Sequence, residues 1–112
     1  MDHDKWETQA RKGVLELCVL LLLRRGELYG YDLAKALAST HKVAVVEGTI
    51  YPILARLKAD GLVRTRLEES PNGPPRKYYN LTSSGRDAAG QMLGHWQTLS
   101  KAVDKIAKWR SQ

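Results

Sequence analysis

Cysteine is nearly absent: Cys18 is the one thiol among 112 residues. That excludes an internal disulfide and any multi-cysteine zinc site, and it leaves the redox compartment unconstrained. Cys18 sits in an apolar run with no His or carboxylate at catalytic spacing, so it reads as an inert, buried thiol. His3, His41 and His95 are scattered and give no His-x-x-x-His pair for a metal. No nucleophile–base pair occurs, and Gly26 and Gly30 do not make a phosphate-cradling loop. The expectation is a protein that is not an enzyme and carries no cofactor. Long apolar runs are missing too. The longest, Leu17 to Leu23, is too short to cross a bilayer and is closed by Arg24-Arg25. No charged-then-apolar-then-small pattern marks a secretory signal. The expected location is cytoplasmic, with no membrane partner.

What is present is an ordinary soluble balance, 43% hydrophobic and 27% charged residues, in a length suited to one core. A formal charge of +6 and a pI near 9.6 favour a polyanionic partner. The distribution weakens that inference. From His41 to Asn80 seven basic residues (Lys42, Arg56, Lys58, Arg64, Arg66, Arg76, Lys77) stand against four acidic ones (Glu47, Asp60, Glu68, Glu69). The last 32 residues carry the same excess without any groove-reading pattern. Where the charges sit matters more than their sum.

Helical spacing of Val14, Leu17, Cys18, Leu21 and Leu22 predicts a first helix from about Trp6 to Arg25, stopped by Gly26. Leu15, Val19 and Leu23 lie on its other faces, so burial on two sides is expected, one by a second subunit. A short helix follows over Tyr29 to Ala38, with Leu33 and Leu37 inward. It ends in the polar Ser39-Thr40-His41-Lys42, before a linker from Val43 to Val46. A third helix runs from Glu47 to Ala59, burying Ile50, Ile53, Leu54 and Leu57, and Asp60-Gly61 ends it. Pro52 fits this helix only in its first turn, where its missing N–H bonds to nothing. Leu62 to Leu67 and Lys77 to Leu81 read as strands. Glu68 to Pro75 between them reads as turn chemistry, a mobile hairpin tip whose prolines guard against edge pairing. From Thr82 or a following serine a long helix begins. Ala89, Met92, Trp96, Leu99, Val103 and Ile106 repeat along it at alternating spacings of three and four, a heptad seam. A domain this small has nothing left to cover that seam, so a symmetric dimer is expected through those six residues.

The fold expected is therefore mainly α with a small β-hairpin: a winged helix-turn-helix over residues 1–81, including the N-terminal helix, and a C-terminal dimerisation helix over 82–112. A short helix followed at once by a basic hairpin suits DNA reading. Gly48, Thr49, Tyr51 and Pro52 would face base edges, Thr49 through its hydroxyl and methyl. Arg56 and Lys58 would meet the phosphate backbone, and Arg64, Arg66, Arg76 and Lys77 would set the wing against phosphates or the minor groove. The rival is a winged helix used for protein contacts or dimerisation, with no specific operator.

Four segments in order carry a resemblance. They are Leu21-Leu22-Leu23-Arg24-Arg25-Gly26-Glu27-Leu28-Tyr29-Gly30-Tyr31-Asp32-Leu33, then Gly48-Thr49-Ile50-Tyr51-Pro52 running on to Leu54-Ala55-Arg56-Leu57-Lys58-Ala59-Asp60-Gly61-Leu62-Val63, then Gly73-Pro74-Pro75-Arg76-Lys77-Tyr78-Tyr79, and Leu81-Thr82-Ser83-Ser84-Gly85-Arg86. Together they resemble the PadR family of bacterial transcriptional regulators, and with one C-terminal helix the chain is similar to its short subfamily. The resemblance implies a homodimeric repressor on a roughly palindromic operator, released by a small molecule. It also implies a planar hydrophobic effector at the dimer centre, against a tryptophan of the last helix. Trp96 stands on the seam where such a residue would be, with Trp6, Leu17 and Met92 able to line the same space. The alternative for Trp96 is a dimer-core residue that only fills space. Two departures from the family pattern stand out. Val46 replaces a small polar residue before the third helix, and Gly90 and Gly94 lie inside the last one, each costing up to about 1 kcal/mol relative to alanine. Close helix approach or room for a ligand would account for them.

Overall fold

The computed structural model describes residues 3–39 and 47–110. Thr40-His41-Lys42 and the linker from Val43 to Val46 lie outside the described residues. Helix α1 spans His3–Leu23, starting before and stopping short of the Trp6-to-Arg25 expectation. Its last turn tightens, with Arg25 N donating to Leu22 O (3.2 Å) and Gly26 N to Leu23 O (3.2 Å). Gly26, at φ 140°, then redirects the chain at no side-chain cost.

A two-residue strand, β1 (Leu28–Tyr29), comes next, so helix α2 is Gly30–Ser39 and excludes Tyr29. Helix α3 is Glu47–Ala59, as the apolar stripe predicts. It closes in a Schellman motif. Gly61, at φ 75°, donates its N–H to Lys58 O (3.0 Å), and Leu62 N donates to Leu57 O (2.9 Å). Pro52 is not in the first turn as expected but deeper in α3. Lacking an N–H, it leaves the Gly48 carbonyl without its helical donor.

Strands β2 (Val63–Ser70) and β3 (Gly73–Leu81) form a longer hairpin than the sequence predicts, turning on Pro71-Asn72 alone. The register runs from Val63↔Leu81 to Glu68↔Arg76 and then slips before Ser70↔Gly73. Pro74 and Pro75 thus fall in a bulge opposite Glu69, where the ladder asks for no donors. β1 adds to the other edge of β3 through Leu28↔Tyr79 and Tyr29↔Tyr78, giving the antiparallel order β1-β3-β2.

Helix α4 spans Ser83–Ala107. Thr82 caps it, its hydroxyl accepting from Gly85 N (3.0 Å) and donating to Gly61 O (2.7 Å). Thr82 N also donates to Leu62 O (3.1 Å), so one residue ties the α3–β2 turn to the start of α4. The core draws Leu20 and Leu23 from α1, Leu33 and Leu37 from α2, Ile50, Leu54 and Leu57 from α3, with Val63, Tyr79, Leu81 and Ala89 closing it. Ala89, expected at a dimer interface, is instead wholly enclosed by its own chain. The first turns of α4 lie on the hairpin and α1, and the seam emerges only beyond them. Met92 is half-buried, whereas Leu99, Val103 and Ile106 are 58%, 57% and 70% exposed.

Candidate nucleic-acid interface

α3 buries Ile50, Leu54 and Leu57 against the core, which turns Thr49, Tyr51, Pro52, Ala55, Arg56 and Lys58 to solvent. Gly48 lies in its first turn. The far end of the Tyr51 ring lies close to Gly30. A Cβ added to Gly30 would stand 3.4 Å from Tyr51 Cε1 and 3.2 Å from Tyr79 Cε2. Glycine lets the N-terminus of α2 approach both rings.

Strand alternation divides the basic residues of the hairpin. Val63, Thr65, Tyr79 and Leu81 point toward the helices, and Lys77 shares their face by register. Arg64, Arg66, Arg76, Tyr78 and Asn80 share the opposite, outer face. A cleft of about 500 Å³ separates α3 from the inner face, lined by Tyr51, Ala55, Lys58, Thr65, Lys77 and Tyr79. Lys58 and Lys77 thus bring positive charge to its two walls. The expected contact residues do not form one surface: Tyr51, Lys58 and Lys77 line this cleft, Thr49 and Pro52 are exposed on the N-terminal half of α3, and the three wing arginines lie on the outer face of the hairpin.

Two of the arginines are already engaged. Arg56 forms an ion pair with Glu16 of α1. Arg66 grips Glu27 with one edge of its guanidinium, Nε to Oε2 at 2.7 Å and Nη2 to Oε1 at 2.6 Å. Asn80 Nδ2 donates to the same Oε2 at 2.5 Å, and Glu68 Oε2 lies 3.9 Å from Arg66 Nη2. The Arg66 guanidinium also covers the Tyr78 ring at 4.6 Å, Arg76 covers Tyr29 at 5.2 Å, and Lys35 covers Tyr31 at 5.4 Å. Hydrogen bonds from Arg66, and next from Asn80, hold the Glu27 carboxyl below the ordinary glutamate value. Its bonds in turn raise Arg66. Sequence reasoning passed over Glu16, Glu27 and Asn80, because nothing local marks partners that meet only through folding.

A second feature lies between α1 and α4. The helices run antiparallel and leave a groove of about 610 Å³, lined by Trp6, Leu17, Met92 and Trp96, with His95 and Asp104 among its few polar groups. All four residues expected around a hydrophobic ligand border it. Trp6 and Trp96 are 61% and 42% exposed, while Leu17 is buried at its floor. Elsewhere, burial raises the thiol of half-buried Cys18 and the phenol of Tyr79. Among the described residues no three His, Cys, Asp or Glu side chains gather as a metal site, and no helix is long and apolar enough to cross a membrane.

Comparison with known proteins agrees with this geometry. The model of the transcriptional regulator PadR-like family matches residues 19–91. The transcriptional regulator Rv3488 of Mycobacterium tuberculosis is 35% identical over 93 residues, 83% of this chain and 85% of that protein. A crystal structure of a PadR family transcriptional regulator from Eggerthella lenta superposes with a TM-score of 0.85 at 31% identity, covering 96% of this chain and 93% of that one. Bacillus subtilis PadR, crystallised in complex with operator DNA, superposes with a TM-score of 0.67 at 32% identity over 71% of this chain and 46% of that one. This chain spans about half the length of that larger relative. With its three-stranded wing sheet, its exposed α3 and a match across most of its length, the chain belongs to the PadR-like family of winged-helix transcriptional regulators.

Proposed function

We propose that this regulator acts as a homodimer on a palindromic operator, and that a planar hydrophobic effector in the α1/α4 groove weakens the complex. The observation that carries the DNA-reading part is the basic cleft between α3 and the inner face of the wing. A sugar-phosphate strand entering it would meet Lys58 and Lys77, while the Thr49–Pro52 end of α3 reaches base edges. The relative from Bacillus subtilis, bound to operator DNA, supports the same use of the shared fold. Arg64 and Arg76 are proposed as phosphate contacts of the outer wing. Arg56 and Arg66 are left out of the contact set, because Glu16 and Glu27 occupy them.

Dimerisation is supported by the emergent seam of α4, where Leu99, Val103 and Ile106 are left largely uncovered by their own chain. Two seams joined about a dyad would set two recognition helices about 34 Å apart, one turn of DNA. Met92 and Trp96 would then lie near the dyad. Gly90 and Gly94, where an added Cβ would meet nothing within 4 Å, leave space on the same helix. An effector there acts only through its different affinities for the DNA-bound and free arrangements.

The test is a selection of fragments from the source genome by the purified protein at physiological salt, followed by sequencing. A few promoter fragments sharing an inverted repeat are expected. Uniform, salt-sensitive recovery would overturn the reading and leave only sequence-independent phosphate binding. Trp fluorescence unchanged by every planar compound tried, in a protein that does bind its operator, would remove the effector.

A further inference from the structure

The outer arginines of the wing differ in one respect. Among the described residues Arg64 and Arg76 have no carboxylate within ion-pair distance, whereas the Nε–Nη2 edge of Arg66 is filled by Glu27. A carboxylate held this way uses the fork that a phosphate would use. Asn80 adds its bond to Glu27, and the Tyr78 ring covers one face of the guanidinium. The pair joins residues 39 apart in the chain, and the side chains of Arg66 and Glu27 remain 48% and 28% exposed. An ion pair so open to water contributes little to stability, so stability alone does not account for a three-donor arrangement. Its larger consequence is electrostatic: a carboxylate occupies the bidentate Nε–Nη2 edge of a wing cation and offsets its charge.

We propose that Glu27 is a specificity-determining residue that acts as a built-in phosphate surrogate, keeping Arg66 out of the phosphate contacts and so limiting sequence-independent DNA binding. This rests on the operator-binding reading above. Sequence-independent affinity rises with every cation that meets a phosphate, and each such contact steepens the dependence of log K on log salt by about 0.9. Between 50 and 200 mM salt, one contact changes affinity by about three- to four-fold. Contacts of this kind carry no sequence information, so releasing Arg66 favours random DNA and lowers the ratio of operator to random affinity.

The experiment measures binding of the full chain to its selected operator and to a random duplex across a salt series. Glu27→Gln is expected to tighten random-duplex binding, with a gain about three- to four-fold larger at about 50 mM than at about 200 mM salt, and to steepen the slope by about 0.9. Operator affinity should rise less. Arg66→Gln should leave both slopes unchanged, because that arginine makes no phosphate contact while Glu27 holds it. Glu69→Gln, which removes an equal charge from the same wing but frees no arginine, should give a smaller change than Glu27→Gln. An unchanged slope in Glu27→Gln, a slope shallower by about 0.9 in Arg66→Gln, or equal effects of Glu27→Gln and Glu69→Gln would overturn the inference. If the wild-type protein discriminates operator from random DNA, those failures concern Glu27 alone. If it does not, the operator-binding reading fails and the inference falls with it.

Discussion

Gly85→Ala should unfold this protein far more readily than one added methyl suggests. A Cβ built on Gly85 would lie 2.0 Å from the Leu62 carbonyl oxygen and 3.0 Å from Leu81 Cδ2. Carbon and oxygen in ordinary contact stand about 3.3 Å apart, so α4 and the α3–β2 turn must separate by about 1 Å or more. Neither side can yield alone. The Leu62 carbonyl accepts from Thr82 N (3.1 Å), and Leu62 N closes the end of α3 on Leu57 O (2.9 Å). The Thr82 hydroxyl meanwhile binds both Gly85 N and Gly61 O. Overpacking costs about 1–3 kcal/mol, the lost cap about 1 kcal/mol and the lost backbone bond about 1 kcal/mol. Alanine's helix preference offsets about 1 kcal/mol of this. The net loss is about 2–4 kcal/mol, which lowers Tm by about 10–20 °C. Gly90→Ala is the matched control on the same helix, since its Cβ would meet nothing within 4 Å. It should gain up to about 1 kcal/mol. Thermal and urea unfolding at one fixed protein concentration reads both variants. A Gly85→Ala protein as stable as the wild type would refute the packing argument.

Three further outcomes are expected. Replacing Thr49 and Tyr51 together with alanine should lower operator affinity at least ten-fold, about 1.4 kcal/mol, with the oligomeric state unchanged in light scattering; normal affinity would sink the role given to α3. Ending the chain after Ser100 removes Val103 and Ile106 and should yield monomers, so a dimer persisting at micromolar concentration would rule out the α4 seam. A carboxyl NMR titration should find Glu27 with a midpoint below the ordinary glutamate value. Because the folded-state value is the lowered one, its stabilising contribution is complete above the unfolded-state pKa and is lost as pH falls through the folded one. Arg66→Gln should return that midpoint toward the ordinary range, and an unshifted Glu27 in the wild type would contradict the bidentate pairing.

The sequence made some elements legible and hid others for physical reasons. The bounds of α3 could be read because its apolar residues recur at helical spacing and Asp60-Gly61 punctuates its end. β1 could not, since two residues carry no period and Leu28-Tyr29 becomes a strand only by lying beside Tyr78-Tyr79. The hairpin is longer than its sequence suggests because Pro74-Pro75 signal a turn locally, whereas the ladder absorbs them in a bulge. Alternation alone already separates Lys77 from Arg76, and applying it would have divided the basic residues between cleft and outer face. The ion pairs of Arg56 with Glu16 and Arg66 with Glu27 had no local signal, because each joins distant parts of the chain. The groove residues show both sides of this. Met92 and Trp96 were readable as neighbours on one helix, but Trp6 and Leu17 join them only through the antiparallel packing of α1 on α4. The glycine in Leu81-Thr82-Ser83-Ser84-Gly85 reads as a family signature in sequence, and its cause, the Leu62 carbonyl, is visible only in three dimensions.

Hydroxyl-radical footprinting on a selected operator tests the dimeric DNA-reading claim most directly. Two protected patches related by a dyad and centred about one helical turn apart, near 34 Å, are the predicted result, with protection at both patches fading in the Thr49 and Tyr51 double variant. A single patch, or even protection along the whole fragment, would contradict it.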